Sequence, residues 1–180
     1  IEVSRLCLGC MSFGDPASNM HAWTLDPEKS EAIIRHALDL GINFFDTANC
    51  YSAGTSEEYL GRAIRRNIAR EKVVLASKVY FNEGHLSRDA INREIDGTLR
   101  RLGTDYLDLY IIHRFDAQTP IEETMEALDG LVRAGKVRAL GASAMYGHQF
   151  YNMQLCARDN GWTPFVSMQN HYNLIYREEE

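Results

Sequence analysis

Four side chains could together deliver a proton to a carbonyl oxygen: Asp46, Tyr51, Lys78 and His113. A phenol, with a pKa of about 10, is a poor acid near neutral pH unless a neighbouring ammonium favours its phenolate. Lys78 supplies such a charge, and a lysine aimed at an apolar interior needs a carboxylate, for which Asp46 is the candidate. A carbonyl oxygen held between Tyr51 and His113 would take its proton from the phenol. No amino-acid side chain donates hydride, so a reduction at this set requires a cofactor. Taken singly, each residue has a plainer use: an Asp before a Thr at a strand end is commonly a cap, and a His there is commonly a satisfied buried group.

Residues so far apart meet only if regular elements bring them together. Six β-branched or aromatic runs, at 3–8, 42–46, 73–78, 107–112, 137–142 and 165–169, predict strands. Between them apolar residues recur at helical spacing, as in Ile33, Ile34, Ala37, Leu38 and in Leu128, Leu131, Val132. Asp26-Pro27 and Thr119-Pro120 have the form of helix starts, and Thr119 with Glu122 fits a capping box. Gly41, Gly103, Gly135 and Gly161 stand where helices should stop.

Regular strand and helix alternation predicts a parallel sheet, either open and doubly wound or closed as a (β/α)8 barrel. The first strand runs into Leu8-Gly9-Cys10-Met11-Ser12-Phe13-Gly14, which has no G-x-G-x-x-G, and this disfavours the doubly wound form. A barrel gathers its chemistry at the C-terminal strand ends. There the sequence places Phe45-Asp46-Thr47-Ala48, Ser77-Lys78 and Ile112-His113-Arg114. A period of two puts His113 in phase with Leu107, Leu109 and Ile111, and Lys78 in phase with Val74 and Ala76.

These stretches resemble the aldo-keto reductase family. The resemblance is carried by Gly41-Ile42-Asn43-Phe44-Phe45-Asp46-Thr47-Ala48 with Tyr51, by Ser77-Lys78 and by Ile112-His113-Arg114. It continues through Thr119-Pro120-Ile121-Glu122-Glu123-Thr124, Gly135-Lys136-Val137-Arg138, Gly141-Ala142-Ser143 and Gln169-Asn170. Bacterial reductases of broad aldehyde and ketone scope are the members it looks most similar to. The resemblance implies a (β/α)8 barrel that uses NADPH to reduce small carbonyl substrates. Tyr51 would be the proton donor, Lys78 would lower its pKa, Asp46 would pair with Lys78, and His113 would orient the carbonyl. It also implies nicotinamide contacts at Asp46, Ser143 and Gln169, with Gly9, Cys10 and Met11 lining the same mouth. Ala144 departs from the family, which often has Asn there, and offers the carboxamide no side-chain hydrogen bond. Trp23, Tyr80 and Phe115, together with His113, are candidates for the substrate pocket, ordinary loop packing being the alternative for each aromatic. A rival reading is a non-enzymatic nicotinamide-binding module like the β-subunits of potassium channels, which typically have Asn in place of His113.

Composition sets the remaining expectations. With 25 acidic and 19 basic side chains the formal charge is −6, which disfavours nucleic acid as a partner. No apolar run approaches the roughly 18 residues of a membrane span, and no signal peptide is evident, so the expected location is cytoplasmic. Four cysteines are too few for a disulfide scaffold. Cys7 and Cys10 have the spacing of a metal half-site but no second pair nearby, so no metal is expected. Residues 1–180 are expected to be one domain holding about six of the eight strand and helix units, an N-terminal piece of a longer chain. Such a piece would leave a strand edge unpaired and bind NADPH poorly. Glu178, Glu179 and Glu180 are expected to open the next helix; neither the physiological substrate nor the oligomeric state is legible.

Overall fold

The computed structural model describes residues 1–18 and 20–177. Six strands alternate with five helices: β1 (Cys7–Gly9), α1 (Pro27–Asp39), β2 (Phe44–Asp46), α2 (Thr55–Asn67), β3 (Val74–Val79) and α3 (Arg88–Leu102) come first. Then follow β4 (Leu107–Ile112), α4 (Ile121–Arg133), β5 (Val137–Ser143), α5 (Gly147–Asn160) and β6 (Phe165–Gln169). Every neighbouring pair is parallel and the sheet order is the chain order. Consecutive parallel pairing with a helix in each crossover is the barrel pattern rather than the doubly wound one, in which strand order reverses. The sheet curls strongly enough for Gln169, at the end of β6, to donate a hydrogen bond from Nε2 to Asp46 Oδ2 at the end of β2, 3.2 Å away. The chain is thus six strands of a partial (β/α)8 barrel. The helix expected at Glu178-Glu179-Glu180 lies outside the described residues.

Alternation along the strands divides the apolar residues into two cores. Ala76, Leu109, Ile111 and Ala139, with Phe44 against them, fill the concave side. Ile34, Phe45, Leu60, Ile91, Leu128 and Phe165 belong to the larger cluster between sheet and helices, each buried side chain being worth about 1.5–3 kcal/mol. Leu107, expected in phase with Leu109, packs in this outer cluster instead. Gly141 is needed on the concave side, where a Cβ would come within 2.6 Å of Ser167 Oγ and 3.1 Å of Ile111 Cγ1.

The helix ends follow the sequence with one exception. Asp26 caps α1 by accepting from Lys29 N at 2.9 Å. Gly103 ends α3 at φ 66°, a left-handed conformation in which a Cβ would also strike the Arg65 guanidinium. The expected Thr119/Glu122 capping box does not form. Pro120 occupies the cap, which leaves Thr119 one residue before it, and the Thr119 hydroxyl donates to Asp116 Oδ2 at 2.6 Å. The first strand is shorter than expected because Ser4 and Asn43 pair through side chains (Ser4 N to Asn43 Oδ1, 2.7 Å; Asn43 N to Ser4 Oγ, 3.1 Å) rather than through a backbone ladder.

Candidate active site

The polar rim begins where β2 ends. Thr47 N donates to Ala76 O at 3.0 Å and Asn49 N to Lys78 O at 3.2 Å, which carries the chain across the top of β3. A tight turn over Tyr51–Gly54 follows, and within it Ser52 and Ala53 hold φ of 47° and 55°. Left-handed backbone at two non-glycine residues costs about 1–3 kcal/mol each and persists only when its surroundings dictate it. Here Ser52 is wholly buried, its N–H donates to Met20 Sδ at 2.9 Å, and its carbonyl accepts from Thr55 Oγ1 at 2.7 Å. The turn fixes Tyr51 over the end of β3.

Lys78 is 1% exposed. Its ammonium has three donors and three acceptors: Asp46 Oδ1, Thr47 O at 2.9 Å and Tyr51 Oη at 3.2 Å. Burial works to lower its pKa, but the charge of Asp46 and the contact with Tyr51 outweigh it and hold the pKa above the ordinary value. Tyr51 is shifted upward. Burial raises it, and although the charge and hydrogen bond of Lys78 pull it down as expected, they do not offset the desolvation. The phenol is therefore retained as a phenol, a donor at neutral pH.

His113 closes the group, its main chain continuing the ladder through a bond from N to Val79 O at 2.9 Å. The imidazole stands edge-on to the Tyr51 ring, centroids 5.8 Å apart, and its Nδ1 is buried without a hydrogen-bond partner among the described residues. Burial, then the charges of Lys78 and Arg114, push its pKa down to about 3. The ring is neutral at physiological pH and can donate from one nitrogen without carrying charge.

Asp46, Tyr51, Lys78 and His113 are thus brought into one cluster. Of the residues expected to hold a cofactor, Ser143 and Gln169 adjoin it: Ser143 Oγ donates to Gln169 O at 2.8 Å, and Gln169 reaches Asp46. Hydroxyl, amide and carboxylate side by side match the donors and acceptors of a carboxamide, and a partnerless Nδ1 next to them leaves a polar demand that a ligand can meet. Gly9 leaves open space where a Cβ would stand, and Met11 is exposed. The Cys10 thiol is wholly buried in the outer core.

Of the aromatic candidates, Tyr80 stands edge-on to Phe81, centroids 5.1 Å apart. Trp23 is half-exposed and stacks on His21 at 4.1 Å, Tyr80 stacks on His85 at 4.7 Å, and Phe115 packs against the outer core. Besides Tyr51, the ring of Phe81 meets His113, edge-on at 5.0 Å. Sequence reasoning did not single it out, although its place three residues after Lys78, in the loop leaving the same strand end, was an available signal. Glu57 was missed too. Wholly buried on α2, it accepts from Ser77 Oγ at 2.6 Å and Arg101 Nε at 2.5 Å, behind the strand that carries Lys78. Among the described residues no group of three or more His, Cys, Asp or Glu is placed to hold a metal. No helix of the described residues is long and apolar enough to cross a membrane.

Comparison with known proteins places this geometry. The model of the aldo/keto reductase family matches residues 5–180. Aldo-keto reductase AMT2 of Alternaria alternata is 46% identical, over 99% of this chain and 56% of that protein. Versiconal hemiacetal acetate reductase of Aspergillus parasiticus is 43% identical, over 100% of this chain and 59% of its own length. Both come from fungi, where the sequence pointed to bacterial reductases. The chain therefore spans little more than half the length of these relatives. The alignment with AMT2 runs over 208 positions against the 180 residues here, so that relative has residues inside the matched span that this chain lacks. In structure, the thermostable aldo-keto reductase Tm1743, solved with the inhibitor epalrestat, superposes with a TM-score of 0.83 at 31% identity, covering 98% of this chain and 64% of that one. A match along almost the whole sequence, joined to the same barrel geometry, shows that this chain belongs to the aldo/keto reductase family.

Proposed function

We propose that the protein reduces aldehydes or ketones to alcohols with NADPH, Tyr51 donating the proton. The observation that carries this reading is the buried ammonium of Lys78, shared between Asp46 and the Tyr51 hydroxyl, with a neutral imidazole against the Tyr51 ring. NADPH, when bound, supplies the hydride to the carbonyl carbon. Ser143, Gln169 and Asp46 would hold its carboxamide. His113 donates a hydrogen bond that fixes the carbonyl oxygen, and as charge builds there Tyr51 passes it the phenolic proton. The C=O π pair becomes the new O–H bond pair, and the phenolate left behind faces the Lys78 ammonium, which favours it. NADPH rather than NADH is chosen on the family resemblance. Residues 1–180 are read as one domain, part of a barrel, and a cytoplasmic setting agrees with four free thiols.

Replacing Lys78 tests the reading. Lys78→Met removes the charge and keeps the length, so NADPH-dependent reduction of 4-nitrobenzaldehyde should fall by at least about 10²-fold, the scale of a lost acid–base group, while the protein stays folded by circular dichroism. A folded Lys78→Met protein with undiminished turnover would overturn it.

A further inference from the structure

The cations at this rim are not equally engaged. Lys78 is consumed by Asp46, Thr47 and Tyr51. Arg114, directly after His113, is exposed, and its guanidinium donates a hydrogen bond from Nη1 to the His113 carbonyl at 3.1 Å. A guanidinium has five N–H donors, and among the described residues no carboxylate forms an ion pair with it. The nearest acid in sequence, Asp116, is occupied by Leu86 N, Gln118 N and the Thr119 hydroxyl. With Asp46 paired to Lys78 and His113 uncharged, Arg114 is a cation next to them with no ion-pair partner among the described residues.

The same guanidinium lies 5.9 Å from the centroid of Phe81, whose ring is half-exposed and meets His113 edge-on at 5.0 Å. Phe81 therefore touches both the imidazole of His113 and the guanidinium of Arg114. A flat ring bound there would pack on Phe81, as aromatic pairs do in offset or edge-on contact. An anionic substituent on its far side would meet Arg114, whose planar fork suits a carboxylate.

We propose that the site selects aromatic aldehydes or ketones bearing an anionic group, with Phe81 packing the ring and Arg114 reading the charge. The inference rests on the reductase reading above for the word substrate, though not for binding.

The test compares 4-formylbenzoate with its methyl ester, uncharged and larger by one methyl group, using the protein that carries this sequence at its full natural length. Both kcat/KM with NADPH and calorimetric affinity are measured. Wild type should prefer the carboxylate by about two- to fivefold, the scale of an exposed ion pair, through KM rather than kcat. The preference should shrink at about 1 M salt, where screening shortens to roughly 3 Å. Arg114→Gln should bring the ratio to about one and Arg114→Lys should restore part of it; being a ratio within each variant, it is insensitive to partial unfolding. Equal use of both aldehydes by wild type, or a preference untouched by Arg114→Gln, overturns the proposal. So does a variant whose defect appears only as a raised KM for NADPH, which would assign the guanidinium to the cofactor. If neither aldehyde turns over yet the carboxylate binds preferentially, the reductase reading fails and the anion site stands.

Discussion

An ammonium as buried as that of Lys78 survives because three acceptors surround it, and removing the charged one leaves an uncompensated cation in the barrel. Asp46→Asn should therefore cost about 3–5 kcal/mol in denaturant unfolding, the range for breaking a buried pair. His113 makes stability depend on pH. Its folded pKa of about 3 lies below the ordinary 6.5, so between those values the unfolded chain binds a proton that the native one refuses. Its contribution is complete above pH 6.5 and is lost as pH falls toward 3, by at most about 1.4 kcal/mol per pH unit. Urea titrations at a series of pH values should show that slope, and His113→Gln should flatten it. Ala144 sits at φ 45°, which Asn tolerates better than Ala. Ala144→Asn is expected to add about 0.5–1 kcal/mol, read as a raised Tm. Lys78 and His113 were legible because each stands at a strand end in phase with an apolar stripe, and Asp46 because a lysine aimed inward needs a carboxylate. The upward shift of Tyr51 was not, since the balance between Lys78 and desolvation depends on burial that spacing does not reveal.

Elements hold those residues by a few close approaches. Gly61 of α2 lies against the end of α3, where a Cβ would stand 2.2 Å from Leu102 O; backbone cannot yield as a flexible side chain can. Gly61→Ala should destabilise by about 1–3 kcal/mol or more, as overpacking does, visible as a lower urea midpoint with unchanged m-value. At the opposite end of the sheet from the site, Asp108 of β4 binds Arg70 at 2.6 Å and Arg138 at 3.1 Å, and both guanidiniums lie over the Tyr106 ring. Strand positions were readable from β-branched runs, and β4 and β6 fall where those runs predict. Contacts such as Glu57 with Arg101 were not, because a helical Glu in the first turn ordinarily faces water and only the fold shows that this one cannot. The Thr119 cap failed for a local reason: Pro120 takes the cap position, so Thr119 stands one residue too early to serve the first turn.

For the whole molecule, the curl of six parallel strands matters more than any single contact, since it turns the ends of β2 and β6 toward each other and sets Gln169 beside Asp46. The edge strands are β1 and β6, and Val166, Leu174 and Ile175 are strongly exposed beside the latter. Unpaired edges and apolar surface favour association, so the 180-residue chain by itself should sediment as oligomers at micromolar concentration, and a monodisperse monomer would contradict that. The partial barrel was legible from alternation and from the absence of a glycine-rich turn; the angle at which it curls was not, because it depends on side chains meeting across the concave side. The central claim is that Tyr51 protonates a carbonyl during NADPH-dependent reduction. The most direct measurement is NADPH consumption with 4-nitrobenzaldehyde by the full-length protein and by Tyr51→Phe, which deletes one hydroxyl and keeps the ring. Turnover by the first and a loss of at least about 10²-fold in the second is the predicted result, and equal rates in the two would contradict the account.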